Sequence, residues 1–114
     1  MFKVNILANE NALFSTVFGP FDMLIQAGVF WNMIIGKEAT PYFEVCISSI
    51  DGKEITGLSG AKIRPHCKIQ NNDQYDLVIV PSEGMNINNN NISFQKRVDY
   101  LKSMHCKGAI TASV

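Results

Sequence analysis

"LFSTVFGPFDML", Leu13–Leu24, sets a Gly-Pro pair inside a stretch that otherwise repeats as an amphipathic helix. Leu13, Val17, Phe21, Leu24, Ile25 and Gly28 recur at three- and four-residue steps, the spacing that lines up one helical face. Gly19 and Pro20 admit two explanations. Either the helix starts at Pro20, whose missing N–H is harmless in the first position, or it starts earlier, Pro20 bends it and Gly19 lets another backbone approach. Both place a helix directly after an apolar strand. "FKVNILA" (Phe2–Ala8) is that strand, nearly apolar and therefore buried on both faces. "NEN" (Asn9–Asn11) supplies the turn and cap chemistry between them.

Working outward, the helical pattern fades in "VFWNMIIGKEATP", where Gly36 and Pro41 mark the exit. "YFEVCISSI" (Tyr42–Ile50) is rich in β-branched and aromatic residues and predicts a second strand. "DGK" (Asp51–Lys53) turns the chain, and "EITGLSGAKIRP" holds two short strand-like pieces around Gly57 and Gly60. "LVIVP" (Leu77–Pro81) is a short continuous apolar strand. The asparagine-rich stretch Asn86–Asn91 reads as a polar, mobile linker and helix cap. In the helix "ISFQKRVDYLKSMH", Phe94, Val98 and Leu101 form one stripe, with Lys96, Arg97 and Asp99 on a solvated face. "GAITASV" (Gly108–Val114) predicts another buried strand.

This order is the grammar of an open, mostly parallel α/β sheet with right-handed crossovers and one small antiparallel hairpin excursion. Ligands of such sheets sit at the carboxyl ends of the strands. The final strand runs to just such an end, so the expectation is an incomplete domain, truncated within its own site.

At 114 residues the chain has room for one core. A hydrophobic fraction of 46% with 18% charged residues excludes a disordered chain. Ten basic and ten acidic side chains cancel, so bulk charge draws this segment neither to nucleic acid nor to an anionic membrane. Cys46, Cys67 and Cys106 show no C-x-x-C spacing. The neighbours His66 and Cys67 would point to opposite faces of a strand, so no metal site is expected and the thiols read as buried or idle. With no signal-peptide pattern and no run of about 18 apolar residues, the sequence reads as cytoplasmic, without a membrane partner.

The pieces "VNILA", "FGPFDML" (Phe18–Leu24), "YFEVCISSIDGKEITGLSGAKIRPH" (Tyr42–His66), "YDLVIVP" (Tyr75–Pro81) and "KGAITASV" (Lys107–Val114) fall in a known order. Over nearly its whole length the sequence resembles the ThiJ/PfpI superfamily, the class I glutamine amidotransferase-like domains. Within it, the sequence is most similar to the N-terminal domain of AraC-type transcriptional regulators. The resemblance implies a flavodoxin-like sheet and a crevice where Asp22 faces the site; the alternative for Asp22 is an exposed or capping role. Catalytic relatives carry a Glu in the first helix where this chain has Ser15; Glu10 is nearby in sequence but lies at the strand–helix junction. Where they have Gly-Gly lending a backbone N–H to an oxyanion pocket, this chain has Ser82 and Glu83, with Gly84 one place later. A Glu83 carboxylate there would oppose developing negative charge; the alternatives are a ligand contact and, favoured over both, a merely solvated side chain. The relatives' nucleophilic cysteine follows the strand matching "AITASV", so Cys106, which precedes that strand, is not its counterpart, and no catalytic residue is assigned.

The resemblance therefore implies a sensory and oligomerisation domain that binds a small-molecule effector at Ser15, Asp22, Ser82, Glu83 and Gly84. It implies no cofactor, a homodimer, and DNA contact only through a helix-turn-helix module outside these 114 residues. The alternative is an isonitrile-hydratase-like or glyoxalase-like enzyme using an elbow cysteine beyond residue 114.

Overall fold

The computed structural model describes residues 1–83 and 92–114. β1 (Phe2–Leu7) leads through a short turn into α1 (Phe14–Gln26) and then α2 (Phe30–Ile34). β2 (Phe43–Ser49) is followed by a hairpin of β3 (Ile55–Thr56) and β4 (Lys62–Ile63), and by the two-residue β5 (Cys67–Lys68). β6 (Leu77–Val80), α3 (Ile92–Cys106) and β7 (Ile110–Ser113) complete the order.

Five strands form one sheet in the order β5-β2-β1-β6-β7, with every neighbouring pair parallel. β3 and β4 pair antiparallel by themselves. This is the flavodoxin-like α/β architecture, with the antiparallel excursion where the Gly57 and Gly60 region places it. β1 sits at the centre because both its faces are apolar enough to be covered. Alternate residues point to opposite sides of a strand. Val4, Ile6 and Ala8 join Ile47, Ile79 and Val17 of α1 in one core cluster, flanked by Phe14, Phe21 and Leu24. Leu7 and Val78 on the opposite face join Tyr100 and Met104 of α3 in the other.

Asn5 is a fully buried polar residue on that second face. Its amide donates to the Tyr100 hydroxyl at 3.0 Å, and that hydroxyl donates to Asp73 Oδ2 at 2.9 Å. Burial of a polar group is tolerated when a partner satisfies it, and this relay ties β1, α3 and the loop before β6 together.

Several expectations are corrected. α1 starts at Phe14 and continues through Pro20, so proline neither starts nor ends it. Among the described residues a Cβ at Gly19 would meet nothing within 4 Å, so none of their backbone approaches there. Arg97 is not on a solvated face: it is buried, and with Tyr100 and Met104 forms the buried stripe of α3. β7 is not buried. Among the described residues β7 pairs with β6, and all four of its residues are exposed. The Asn86–Asn91 linker lies outside the described residues. On α2, Phe30, Trp31, Met33 and Ile34 are exposed. No helix among the described residues is long and apolar enough to cross a membrane.

Candidate functional site at the carboxyl ends of β1 and β6

From β1 the chain passes to β2 on one side and later returns to β6 on the other. The switch point therefore lies between β1 and β6, and the crevice at their carboxyl ends is where this architecture takes ligands. Two loops meet there: Ala8–Leu13 after β1 and Pro81–Glu83 after β6.

Backbone and side chain knit these loops. The Leu13 N–H donates to the Ser82 carbonyl at 2.9 Å. The Ser82 N–H donates to Thr16 Oγ1 at 3.0 Å, while the Thr16 hydroxyl donates to the Leu13 carbonyl at 2.6 Å. One hydroxyl thus uses both its donor and an acceptor lone pair. Leu13, in the N-cap position of α1, has no side-chain acceptor to offer, and the first turn carries no acidic residue. Thr16, in the first turn, supplies the oxygen instead, and spends it on Ser82.

The β3–β4 hairpin forms the other wall. Glu10 Oε2 accepts the Thr56 N–H at 3.2 Å, the Asn11 N–H donates to the Thr56 carbonyl at 2.9 Å, and the Leu58 N–H donates to the Ala12 carbonyl at 3.1 Å. Asn11 adopts φ +64°, a left-handed conformation that asparagine tolerates better than most side chains. Gly57 packs on the Phe14 ring so closely that a Cβ would lie 2.6 Å from it. Between the hairpin, the ends of β1 and β2 and the start of α3 lies a crevice of about 310 Å³, where Asn9, Glu10, Ser49, Asp51, Ser93 and Lys96 present polar atoms. The wall is of mixed charge.

Glu83 is half-buried and ion-paired with Arg97, which also lies 5.6 Å from the Phe94 ring centre. Burial lowers the Arg97 guanidinium from its ordinary value, and among the described residues its Nε has no hydrogen-bond partner. Arg97 cancels the Glu83 charge, so the opposition expected of an isolated carboxylate is compensated.

Of the residues the sequence singled out, Ser82 and Glu83 stand at the switch point, joined to the start of α1 and to α3, but neither lines the 310 Å³ crevice, and nor do Ser15 and Asp22. Ser15 is exposed in the first turn of α1, next to Thr16. Asp22 is also exposed, on the same helical face as Ser15 but two turns on, about 10 Å further along the axis. Gly84 lies outside the described residues. The sequence reading missed Thr16 and Arg97. Thr16 sits three residues after the N-cap, where a hydroxyl commonly serves the helix start, and that was a legible signal. Arg97 gave none, since its partner stands in a distant loop. Cys106 ends α3, at the far end of that helix from the crevice, because α3 begins beside it. Among the described residues no three His, Cys, Asp or Glu side chains gather as a metal site.

No family model matches the sequence, and no curated protein matches it. The likeness is to solved structures. An AraC family transcriptional regulator from Pseudomonas putida superposes with a TM-score of 0.76 at 15% identity, over 99% of this chain and 55% of that one. The chain has the DJ-1/ThiJ/PfpI fold. DJ-1 of Toxoplasma gondii matches with a TM-score of 0.73 at 18% identity, over 99% of this chain and 55% of that one. A two-domain Anabaena variabilis protein with DJ-1/ThiJ/PfpI-like and ferritin-like domains matches at 0.68 and 18% identity, over 99% of this chain and 29% of its own length. The chain spans about half the length of the first two of these structures.

Proposed function

We propose that these residues are the N-terminal part of a ThiJ/PfpI-like sensory and oligomerisation domain of an AraC-type transcriptional regulator. In this reading the crevice binds a small-molecule effector and does not transform it. One observation carries the proposal: the Ser82 N–H, at the place where the catalytic relatives recruit a backbone donor, is already held by Thr16 at 3.0 Å. An oxyanion pocket needs donors aimed at the developing charge, not satisfied within the protein. The first turn of α1 adds no carboxylate for acid–base work, which supports the same reading. The formal net charge of +0 suits a segment that leaves DNA to a separate helix-turn-helix module. The likeness to the Pseudomonas regulator agrees with it. Homodimerisation belongs to the proposal too.

The second reading is an isonitrile-hydratase-like or glyoxalase-like enzyme with an elbow cysteine. It draws on the comparable likeness to DJ-1. The two part cleanly when the natural reading frame is followed past Val114 and its full-length product is tested on DNA from its own upstream region. A helix-turn-helix region and a protected DNA site are expected. A Cys-(Ser/Thr)-Gly elbow, a stop about 80 residues later and turnover of methylglyoxal or an isonitrile would contradict the proposal.

A further inference from the structure

Cys46 and Cys67 are 21 residues apart in sequence, yet their Sγ atoms stand 2.9 Å apart. The topology explains it. β5 runs parallel to β2 with Cys67 opposite Ser48, so Cys46, two residues before Ser48, points to the same face as Cys67. Both are free thiols. Their separation argues against a metal as the missing partner: two thiolates on one tetrahedral zinc sit about 3.8 Å apart, given a Zn–S bond of about 2.3 Å. A disulfide needs a closure to about 2.05 Å. β5 is two residues long, lies at the edge of the sheet and pairs only with β2, so it can shift without disrupting another strand. Cys67 also borders a surface hollow of about 390 Å³ with Lys3, Asp73 and Tyr75, wide enough to admit a small reagent. Nothing in the proposed effector site uses either thiol.

We propose that Cys46 and Cys67 are a redox-active dithiol that closes to an intramolecular disulfide by exchange with a low-molecular-weight disulfide such as oxidised glutathione. Cys67 leads, because it sits on the edge strand and faces the hollow. Its thiolate attacks one sulfur of the small disulfide, forming a mixed disulfide and releasing one small thiolate. Cys46 then gives up its proton to solvent and attacks the Cys67 sulfur, expelling the second small thiolate. Two protein thiols are oxidised, one small disulfide is reduced, and the two protons end on the released thiols. Cys46 suits the resolving role: burial, and then the neighbouring Cys67, push its thiol up to about 12, so it holds little thiolate of its own at neutral pH. The neighbouring Tyr75 hydroxyl favours the Cys46 thiolate as that forms. Closure would fasten the edge strand β5 to β2, and with it the segment leading to Asp73 and its bond to Tyr100.

The test is to equilibrate the full-length natural protein across a series of reduced-to-oxidised glutathione ratios, quench with N-ethylmaleimide and map the peptides by mass. The expected result is one Cys46–Cys67 cross-link, seen as a loss of about 2 Da, appearing cooperatively while Cys106 stays alkylated. Cys67→Ser abolishes it and Cys106→Ser leaves it intact. Full alkylation of both Cys46 and Cys67 at every ratio would overturn the proposal. So would glutathione remaining on Cys67 without transfer to Cys46, a result measured on the wild-type protein and independent of how any variant folds.

Discussion

Tyr100 holds two elements in place with one hydroxyl, accepting from Asn5 and donating to Asp73. Tyr100→Phe removes both bonds and strands the Asn5 amide, whose Oδ1 already has no partner. Urea denaturation is expected to show a loss of about 1–3 kcal/mol, the usual cost of leaving a buried polar group unmade. Glu83 and Arg97 behave as a pair. Glu83→Ala leaves a buried guanidinium uncompensated and is expected to cost more than the double variant Glu83→Ala/Arg97→Met, in which no charge remains to be paid for. A double variant less stable than Glu83→Ala alone would contradict the pairing. Cys46 sets an alkaline limit. Its thiol titrates near 9.0 when unperturbed and about 12 in the folded chain, so the native state keeps a proton that the unfolded state releases. Its contribution is therefore complete below about pH 9 and is lost as pH rises through about 12. Thermal melts of Cys46→Ala should lose that part of the alkaline decline. At this scale the sequence was least informative. Ser82 and Glu83 were singled out by the resemblance, standing after an apolar strand where catalytic relatives carry Gly-Gly. The partners that decide their chemistry, Thr16 and Arg97, lie 66 and 14 residues away.

The β3–β4 hairpin is held over the β1–α1 turn by three hydrogen bonds and by Gly57 on the Phe14 ring. Gly57→Ala would put a methyl 2.6 Å from that ring, and neighbouring atoms must move to admit it. Overpacking of this kind typically costs about 1–3 kcal/mol, and here the loss should fall first on the hairpin, read as faster amide exchange at Asn11 and Leu58. Elements were legible where the period is unambiguous. The apolar runs beginning at Phe2 and Leu77 became β1 and β6 within a residue or two, and the α1 stripe through Val17, Phe21 and Leu24 meets the core. In α3 the apolar stripe at Phe94, Val98 and Leu101 is only half-buried, whereas Arg97, Tyr100 and Met104 are buried. A polar side chain reads as exposed until its remote partner is known, and Glu83, Asn5 and Asp73 are all remote. Pro20 misleads for a different reason: a helix interior can carry a proline when the flanking residues pack well enough to offset the lost hydrogen bond.

For the whole molecule, the nearly continuous apolar run Phe2–Ala8 predicts a strand covered on both faces, and β1 does lie centrally with a core on each side. "AITAS" has the composition of a buried strand, and among the described residues β7 pairs with β6 and is exposed. The proposed role carries a prediction at this scale: the full-length natural protein should sediment as a dimer at micromolar concentration, and a clean monomer at high concentration would contradict the oligomerisation part. The claim on which the functional reading turns is narrower. In that reading an effector at the carboxyl ends of the strands is bound and not transformed, because the Ser82 backbone donor is engaged by Thr16. Amide hydrogen exchange at Ser82, compared between the natural protein and Thr16→Val, tests this most directly. Slow exchange in the natural protein, quickened about tenfold by the loss of one hydrogen bond, is the predicted result. A Ser82 amide that exchanges as freely as an unstructured one, or that is indifferent to Thr16→Val, would contradict it.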